Sequence, residues 1–364
     1  MKTALIYGAT GQDGSYLCEF LLEKDYKVIA VSRRTSFDNT TRLNHLLLYN
    51  QSLILERGDV TDSGSIYRLL NKYKPQEVYN LAAQSQVWTS FEQPQLTWDV
   101  TANGCMNILE VIRNMPEADR PKFYQASSSE MFGDSYNAFN RQDEETRFNP
   151  QSPYAIAKLS AHHSVALYRQ SYGLFACGGI LFNHESERRG EHFVSRKITR
   201  WIGDFVWWCE KQGLDPSRAH FGLDLEDENY IHSNREEFPK LKLGNLKAKR
   251  DWGHAEDYVR AMWLMLQHEE PDDFVIATGA THEITDFLKE AFSCIGLDQH
   301  QKFIRIDSDL FRPSEVPYLR GSANKAKTQL GWMPSISFEE LVSRMVEHDI
   351  IRSRGGCLQG SSPS

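Results

Sequence analysis

Thr3-Ala4-Leu5-Ile6-Tyr7-Gly8-Ala9-Thr10-Gly11-Gln12-Asp13-Gly14-Ser15-Tyr16-Leu17 stands near the start of a chain of 364 residues. Five residues of strand character run into a G-x-x-G-x-x-G turn, and residues 15–23 then place Leu17, Leu21 and Leu22 at helical spacing. Glycine at these places lets the backbone approach a pyrophosphate, and the helix that follows aims free N–H groups and its positive end at the phosphates. Three glycines alone carry little, because turns use glycine everywhere; the strand before and the helix after give them meaning. The expected cofactor contacts of the turn are Gly8, Thr10, Gly11, Gln12, Asp13 and Gly14.

The strand that follows, residues 27–32, ends in Ser32-Arg33-Arg34. Folds specific for NAD usually carry an acidic residue there for the ribose 2′-hydroxyl, whereas two guanidinium groups attract a 2′-phosphate, so NADP is the expected cofactor. Either arginine has a plain alternative as exposed surface charge, and Arg34 has a second one, a reach to a neighbouring subunit. Asp59-Val60, after the third strand, is placed to meet the adenine, with an ordinary loop carboxylate as the other reading of Asp59. Leu81-Ala82-Ala83, after the fourth strand, has small side chains that let a cofactor pass closely.

Further apolar stretches at residues 53–56, 77–81, 122–126 and 176–181 alternate with helical segments at 65–73, 99–114 and 154–172. That alternation predicts an α/β fold, a Rossmann-type doubly wound parallel sheet with a smaller C-terminal α/β substrate lobe. We expect residues 1–182 to form the NADP-binding domain, with returning segments from about 243–280, and 183–354 mainly the second lobe. Beyond Asn183 the rhythm breaks into a basic stretch at 188–200, a tryptophan-rich segment at 201–208 and an acidic run at 214–240. The acidic run reads as a solvated insertion rather than a metal site. Residues 257–267 and 338–349 read as helices, 274–278 as a returning strand, and the Gly/Ser-rich 355–364 as a disordered tail.

Hydrophobic content of 40% with 25% charged residues is globular, and no apolar run is long enough to cross a bilayer. A net charge of −8 argues against general binding to nucleic acid or anionic membranes, which needs a positive surface. Six cysteines without C-x-x-C or His/Cys spacing fit reduced thiols and no metal site. The apolar start is cut short by Gly8, unlike a secretory signal, so a cytosolic protein is expected.

Tyr154 and Lys158 are four apart and share one helix face. An ammonium beside a phenol lowers the phenol's pKa, letting it take a hydroxyl proton while hydride leaves the same carbon for nicotinamide. Y-x-x-x-K alone would suit a surface pair, but here it follows a glycine turn and Ser127-Ser128-Ser129-Glu130. The serines follow the strand at 122–126, at the carboxyl edge where α/β ligands bind, and Ser128 is the chosen partner of the reacting hydroxyl. Glu130 reads either as a turn cap or as the extra acid/base group that water loss beside a new ketone requires.

The chain resembles the extended short-chain dehydrogenase/reductases and, among them, the GDP-mannose 4,6-dehydratase family. The likeness is carried by residues 8–17, by Asn80-Leu81-Ala82-Ala83-Gln84-Ser85, Leu181-Phe182-Asn183-His184-Glu185-Ser186 and Arg188-Arg189-Gly190-Glu191, and by 243–254, 275–279 and 311–316. It implies that Tyr154 is the base for oxidation at C4 of a mannosyl ring and that Lys158 holds the ribose. It further implies that Glu130 handles the C5 proton and the C6 hydroxyl, with hydride returned to C6 by the same NADP(H). The product implied is GDP-4-keto-6-deoxymannose. Ser85, Gln86, Asn183, Lys197, Arg250, Arg312 and Glu315 fall in segments that in the family hold the GDP-sugar. The loop at 33–42 resembles one that reaches a neighbouring subunit, implying a homo-oligomer, tetramer or dimer.

Three features depart from the family pattern. Ser128 stands where threonine is frequent, Gln86 where histidine is usual, and the acidic run at 214–240 is long. A related GDP-sugar such as a GDP-heptose, a nucleotide-sugar epimerase, and a catalytically silent NADP-binding protein are the competing readings. A carboxylate at Glu130 speaks against the epimerase, and the complete set Ser128, Glu130, Tyr154 and Lys158 against the silent binder.

Overall fold

The computed structural model describes residues 1–218, 238–311 and 313–355. Most of the acidic run, Arg312 and the tail from 356 lie outside the described residues. The chain divides into two compact units, the first made of residues 1–188, 250–281 and 314–336, the second of 189–249, 282–313 and 337 onward.

The first unit is built on seven strands: β1 (Thr3–Tyr7), β2 (Lys27–Ser32), β3 (Leu53–Arg57), β4 (Glu77–Asn80), β5 (Lys122–Ala126), β6 (Ala176–Leu181) and β7 (Asp273–Ile276). Their order across the sheet is β7-β6-β5-β4-β1-β2-β3, and every neighbouring pair is parallel. A parallel sheet is covered on both faces, which is why β2 reads Val28-Ile29-Ala30-Val31 without polar alternation. Ala4, Ile6, Ala30, Tyr79 and Tyr124 pack in one apolar cluster with Leu17, Leu21 and Met262. Leu5, Tyr7, Ile29, Val78 and Phe123 face the other way, against Ile66, Leu69, Ile108 and Val165. Helices α1 (Gln12–Glu23) and α6 (Ala255–Gln267) thus cover one face, and α2 (Ser63–Tyr73), α3 (Gly104–Arg113) and α4 (Pro153–Tyr172) the other.

Local chemistry sets the helix ends. Asp62 caps α2 by accepting from the Gly64 and Ser65 N–H groups at 3.0 and 3.2 Å. Ser152 caps α4 with Pro153 as its first residue, and Gly173 ends it at φ 63°, a conformation that costs a residue without Cβ nothing. The helix expected over 99–114 is interrupted: a π turn, Asp99–Asn103, precedes α3. Residues 87–98 form two short helices, Val87–Glu92 and Pro94–Trp98, broken where Pro94 lacks an N–H. Residues 314–336, grouped with the second lobe from sequence, pack in the first unit, because Trp332 Nε1 donates to the Asp257 carbonyl at 2.8 Å and Lys325 donates to that of Asp273 at 2.9 Å.

In the second unit, residues 194–200 of the basic stretch and the tryptophan-rich stretch form one helix, α5 (Val194–Gln212), which packs on α8 (Phe338–Gly355). A Cβ on Gly203 would lie 2.5 Å from the Asp349 carbonyl oxygen, so the backbones approach closely there. Buried Asp349 accepts from Arg196 at 2.8 Å and Thr199 at 2.7 Å. The helix α7 (Ile284–Ser293) opens with a capping box made by Glu283 and Asp286. No helix among the described residues is long and apolar enough to cross a membrane.

Candidate active site

Strand register fixes the order of the loops along the carboxyl edge. Tyr7 of β1 lies beside Val31 of β2 and Asn80 of β4; Asn80 lies beside Gln125 of β5, and Ala126 beside Gly179 of β6. At about 4.8 Å per strand, the arginines after β2, the glycine turn after β1, Leu81–Ala83 after β4, Ser127–Glu130 after β5 and Asn183 after β6 follow one another. The strand order reverses between β1 and β4, where doubly wound sheets open a crevice for ligands.

The glycine turn has the backbone shape that close approach of a dinucleotide phosphate requires. Gly8 has φ 80°, and a Cβ there would lie 2.8 Å from the Leu81 carbonyl carbon; one on Gly14 would lie 2.3 Å from the Gly8 oxygen. No side chain caps α1 at Gly11, so the helix presents its first N–H groups to whatever binds above them. Thr10 is held through its carbonyl by Arg42 at 3.3 Å. Gln12 Nε2 donates to the His184 carbonyl at 3.1 Å, its Oε1 accepts from Ser186 at 2.8 Å, and Asp13 Oδ2 meets His184 Nε2 at 2.8 Å. Gln12 and Asp13 therefore tie the turn to the short strand Asn183–Glu185, which pairs with Trp252–His254. Asn183 Oδ1 is buried without a hydrogen-bond partner among the described residues, an acceptor left open at this edge.

At the arginine end, a shallow depression of about 440 Å³ is lined by Arg34, Arg57, Gly58, Asp59, Asp62, Gly64, Ser65 and Arg68. Arg34 lines it and Arg33 does not. Asp59 Oδ1 accepts from the Thr61 N–H at 2.9 Å and hydroxyl at 2.8 Å. Val60 points into the core and offers its carbonyl to Asn107 at 2.9 Å.

After β5, residues Ser129–Phe132 make a 3₁₀ turn whose side-chain cap is Ser128: its Oγ accepts from the Glu130 N–H at 3.2 Å. Ser128 and Glu130 are 8% and 9% exposed, Tyr154 9% and Lys158 3%. Two hydrogen bonds join this loop to α4. Lys158 Nζ donates to the Ala126 carbonyl at 2.6 Å, and Ser127 Oγ meets His162 Nδ1 at 3.0 Å. Lys158 Nζ lies 5.8 Å from the Tyr154 ring centre. Burial brings the ammonium down to about 8, so it stays charged at neutral pH beside the phenol. His162, one turn beyond Lys158 on the same face, was not singled out from sequence; the 154, 158, 162 spacing was its available signal. Burial lowers its pKa while Asp273, with Oδ2 at 4.0 Å, acts in the opposite direction.

Ser85 is exposed and Gln86 half-buried after β4, with Gln86 Oε1 accepting from Thr89 at 2.8 Å. Arg250 and Glu315, 65 residues apart, are brought together as an ion pair at 2.8 Å, and Arg250 also donates to the Val316 carbonyl at 2.7 Å. Neighbouring Asp251 is fully buried and accepts from Thr278, Gly279 and Gly321. Burial raises its carboxyl to about 6. Lys197 lies on α5 in the second unit, and Arg312 is outside the described residues.

Comparison with known proteins bears on this arrangement. A family profile described as GDP-mannose 4,6 dehydratase matches residues 5–206 and 229–345. The chain is similar to GDP-mannose 4,6 dehydratase 1 of Arabidopsis thaliana, 49% identical over 356 residues, covering 96% of this chain and 90% of the relative. Among solved structures it is similar to DesIV of Streptomyces venezuelae, a dTDP-glucose 4,6-dehydratase with NAD and TYD bound, at TM-score 0.77 and 19% identity over 97% of this chain and 98% of that one. It is also similar to RMD of Pseudomonas aeruginosa complexed with NADPH, at TM-score 0.70 and 20% identity over 97% and 100%. At those identities the two solved structures speak to the fold.

Proposed function

The chain belongs to the GDP-mannose 4,6-dehydratase family, and on that premise we propose that it converts GDP-mannose to GDP-4-keto-6-deoxymannose with a nicotinamide cofactor, NADP, that is used and regenerated in each turnover. The observation that carries the reading is the loop at Ser127–Glu130 hydrogen-bonded onto the helix of Tyr154 and Lys158. Oxidation of an alcohol needs the phenol, the ammonium and a serine; a carboxylate in the same loop is what elimination of water adds.

When bound, the nicotinamide accepts hydride from C4 and later gives it to C6. Tyr154 takes the C4 hydroxyl proton, its anionic form favoured by the Lys158 charge, while Ser128 holds that hydroxyl in place. The new carbonyl acidifies C5–H; Glu130 takes that proton and delivers it to the C6 hydroxyl, which leaves as water. As C6 is reduced, C5 regains one proton from the pair of carriers, and Tyr154 and Glu130 return to their starting states. The sugar loses one water with no net redox change.

Gly8 to Gly14 serve the pyrophosphate, Leu81–Ala83 the passage of the cofactor, and Asp59 with the Val60 backbone the adenine. Arg34 serves a 2′-phosphate, since no acidic residue ends β2. Asn183, with its open acceptor, and Arg250, held by Glu315, serve the nucleotide sugar with Ser85 and Gln86; Arg33 is retained from the charge pattern at the end of β2, and Lys197 and Arg312 from the resemblance alone. The free thiols of the five described cysteines suit a cytoplasmic setting, and a homo-oligomer follows from the resemblance of the loop at 33–42, where Phe37 is 87% exposed. The test is incubation with GDP-mannose and mass analysis: loss of one water with a new carbonyl is expected, and unchanged substrate, with turnover of a GDP-heptose instead, would overturn the assignment.

A further inference from the structure

We infer that Arg57, at the end of β3, is the residue that sets the preference for a 2′-phosphorylated dinucleotide; this rests on the NADP reading above. β2 and β3 pair in a register that places Arg57 directly beside Ser32, so the residue opposite the last position of the second strand is a guanidinium.

Arg57 Nη1 donates to Ser32 Oγ at 2.8 Å and to the Arg33 carbonyl at 3.2 Å. Those bonds use one nitrogen and hold the fork in place, leaving its other N–H groups beside the depression that Arg34 also lines. No carboxylate lies within ion-pair distance of Arg57 or Arg34 among the described residues. The third arginine of the depression differs. Arg68 lies 3.6 Å from Glu56, a carboxylate it shares with Lys72 at 2.5 Å, and donates to the Arg57 carbonyl at 2.7 Å, so it braces the backbone of Arg57. The two carboxylates of the depression are occupied, Asp59 by Thr61 and Asp62 as the cap of α2.

Below these groups lies Gly58, where a Cβ would fall 2.8 Å from Leu69 Cδ1 and 2.9 Å from Val31 Cγ1. The backbone there is pressed to the core. Asp38 acts on Arg57 only from beyond ion-pair distance. The ligand class that answers two forks without an ion-pair partner over such a floor is a phosphate monoester dianion, which accepts paired N–H bonds. A ribose hydroxyl in the same place gains far less. Arg57 is the prepositioned member of the clamp, because among the described residues Arg34 has no side-chain hydrogen bond to hold it.

The experiment is calorimetric titration of the full-length protein with NADP+ and with NAD+, repeated on Arg57→Met and Arg57→Lys, with thermal unfolding of each. Hydrogen bonds to charged groups predict a 10- to 100-fold weaker Kd for NADP+ in Arg57→Met, about unchanged NAD+ binding, and an intermediate value for Arg57→Lys. Arg57→Met retaining the full NADP+ preference, or weakening both dinucleotides equally, would overturn the role of Arg57. An unaltered protein with no preference for NADP+ would instead remove the NADP reading itself.

Discussion

Glu130→Gln stops turnover after the first oxidation, with loss of dehydrated product by about 10³-fold, or about 4 kcal/mol of transition-state stabilisation. The amide has the shape of the carboxyl, and the turn is capped by the Ser128 hydroxyl rather than by the residue 130 side chain, so the loop keeps its form. An amide cannot accept the C5 proton, yet nothing in the C4 step uses it. The variant therefore binds cofactor and GDP-mannose and accumulates reduced nicotinamide on the enzyme, read by its near-ultraviolet absorbance. In heavy water its sugar gains no deuterium at C5. Full turnover in this variant would mean that elimination runs through another group.

Tyr154→Phe fails one step earlier, with a drop of about 10³- to 10⁴-fold and no reduced nicotinamide at all. Removing the phenol oxygen leaves the ring, which is 9% exposed against the loop, and leaves the Lys158 bond to the Ala126 carbonyl. The fold and dinucleotide binding are kept while the C4 hydroxyl loses its proton acceptor. Because the two groups act in sequence on one sugar, the double variant is expected to be about as slow as Tyr154→Phe alone. Additive losses, or reduced nicotinamide forming normally in Tyr154→Phe, would place the first proton elsewhere.

Much of the first unit was readable. Short, mostly apolar runs located β1, β2, β5 and β6 to the residue, since strands buried on both faces carry little polar alternation. The helix at 87–92 was missed because its polar and aromatic residues follow no apolar stripe, and α5 because Phe193 gives no capping signal at its start. Asn183–Glu185 was invisible for a different reason: its partner strand lies near 253, and local sequence does not encode such pairings. The chemical residues were legible because Tyr154 and Lys158 are related by one helical turn and Ser128 and Glu130 by one loop. The ion pair of Arg250 with Glu315, the His162 contact to Ser127 and the register that puts Arg57 beside Ser32 each join segments far apart in the chain. Side chains chosen for reach across the fold leave no spacing to read.

The most direct test of the account is to follow one hydrogen. With GDP-mannose carrying deuterium at C4, a phenol, a carboxylate and one resident nicotinamide acting on a single sugar predict product with that deuterium on its new C6 methyl group, transferred within the molecule even when unlabelled substrate is mixed in. Deuterium found instead in free cofactor, scrambled among product molecules, or absent from C6 would contradict the account.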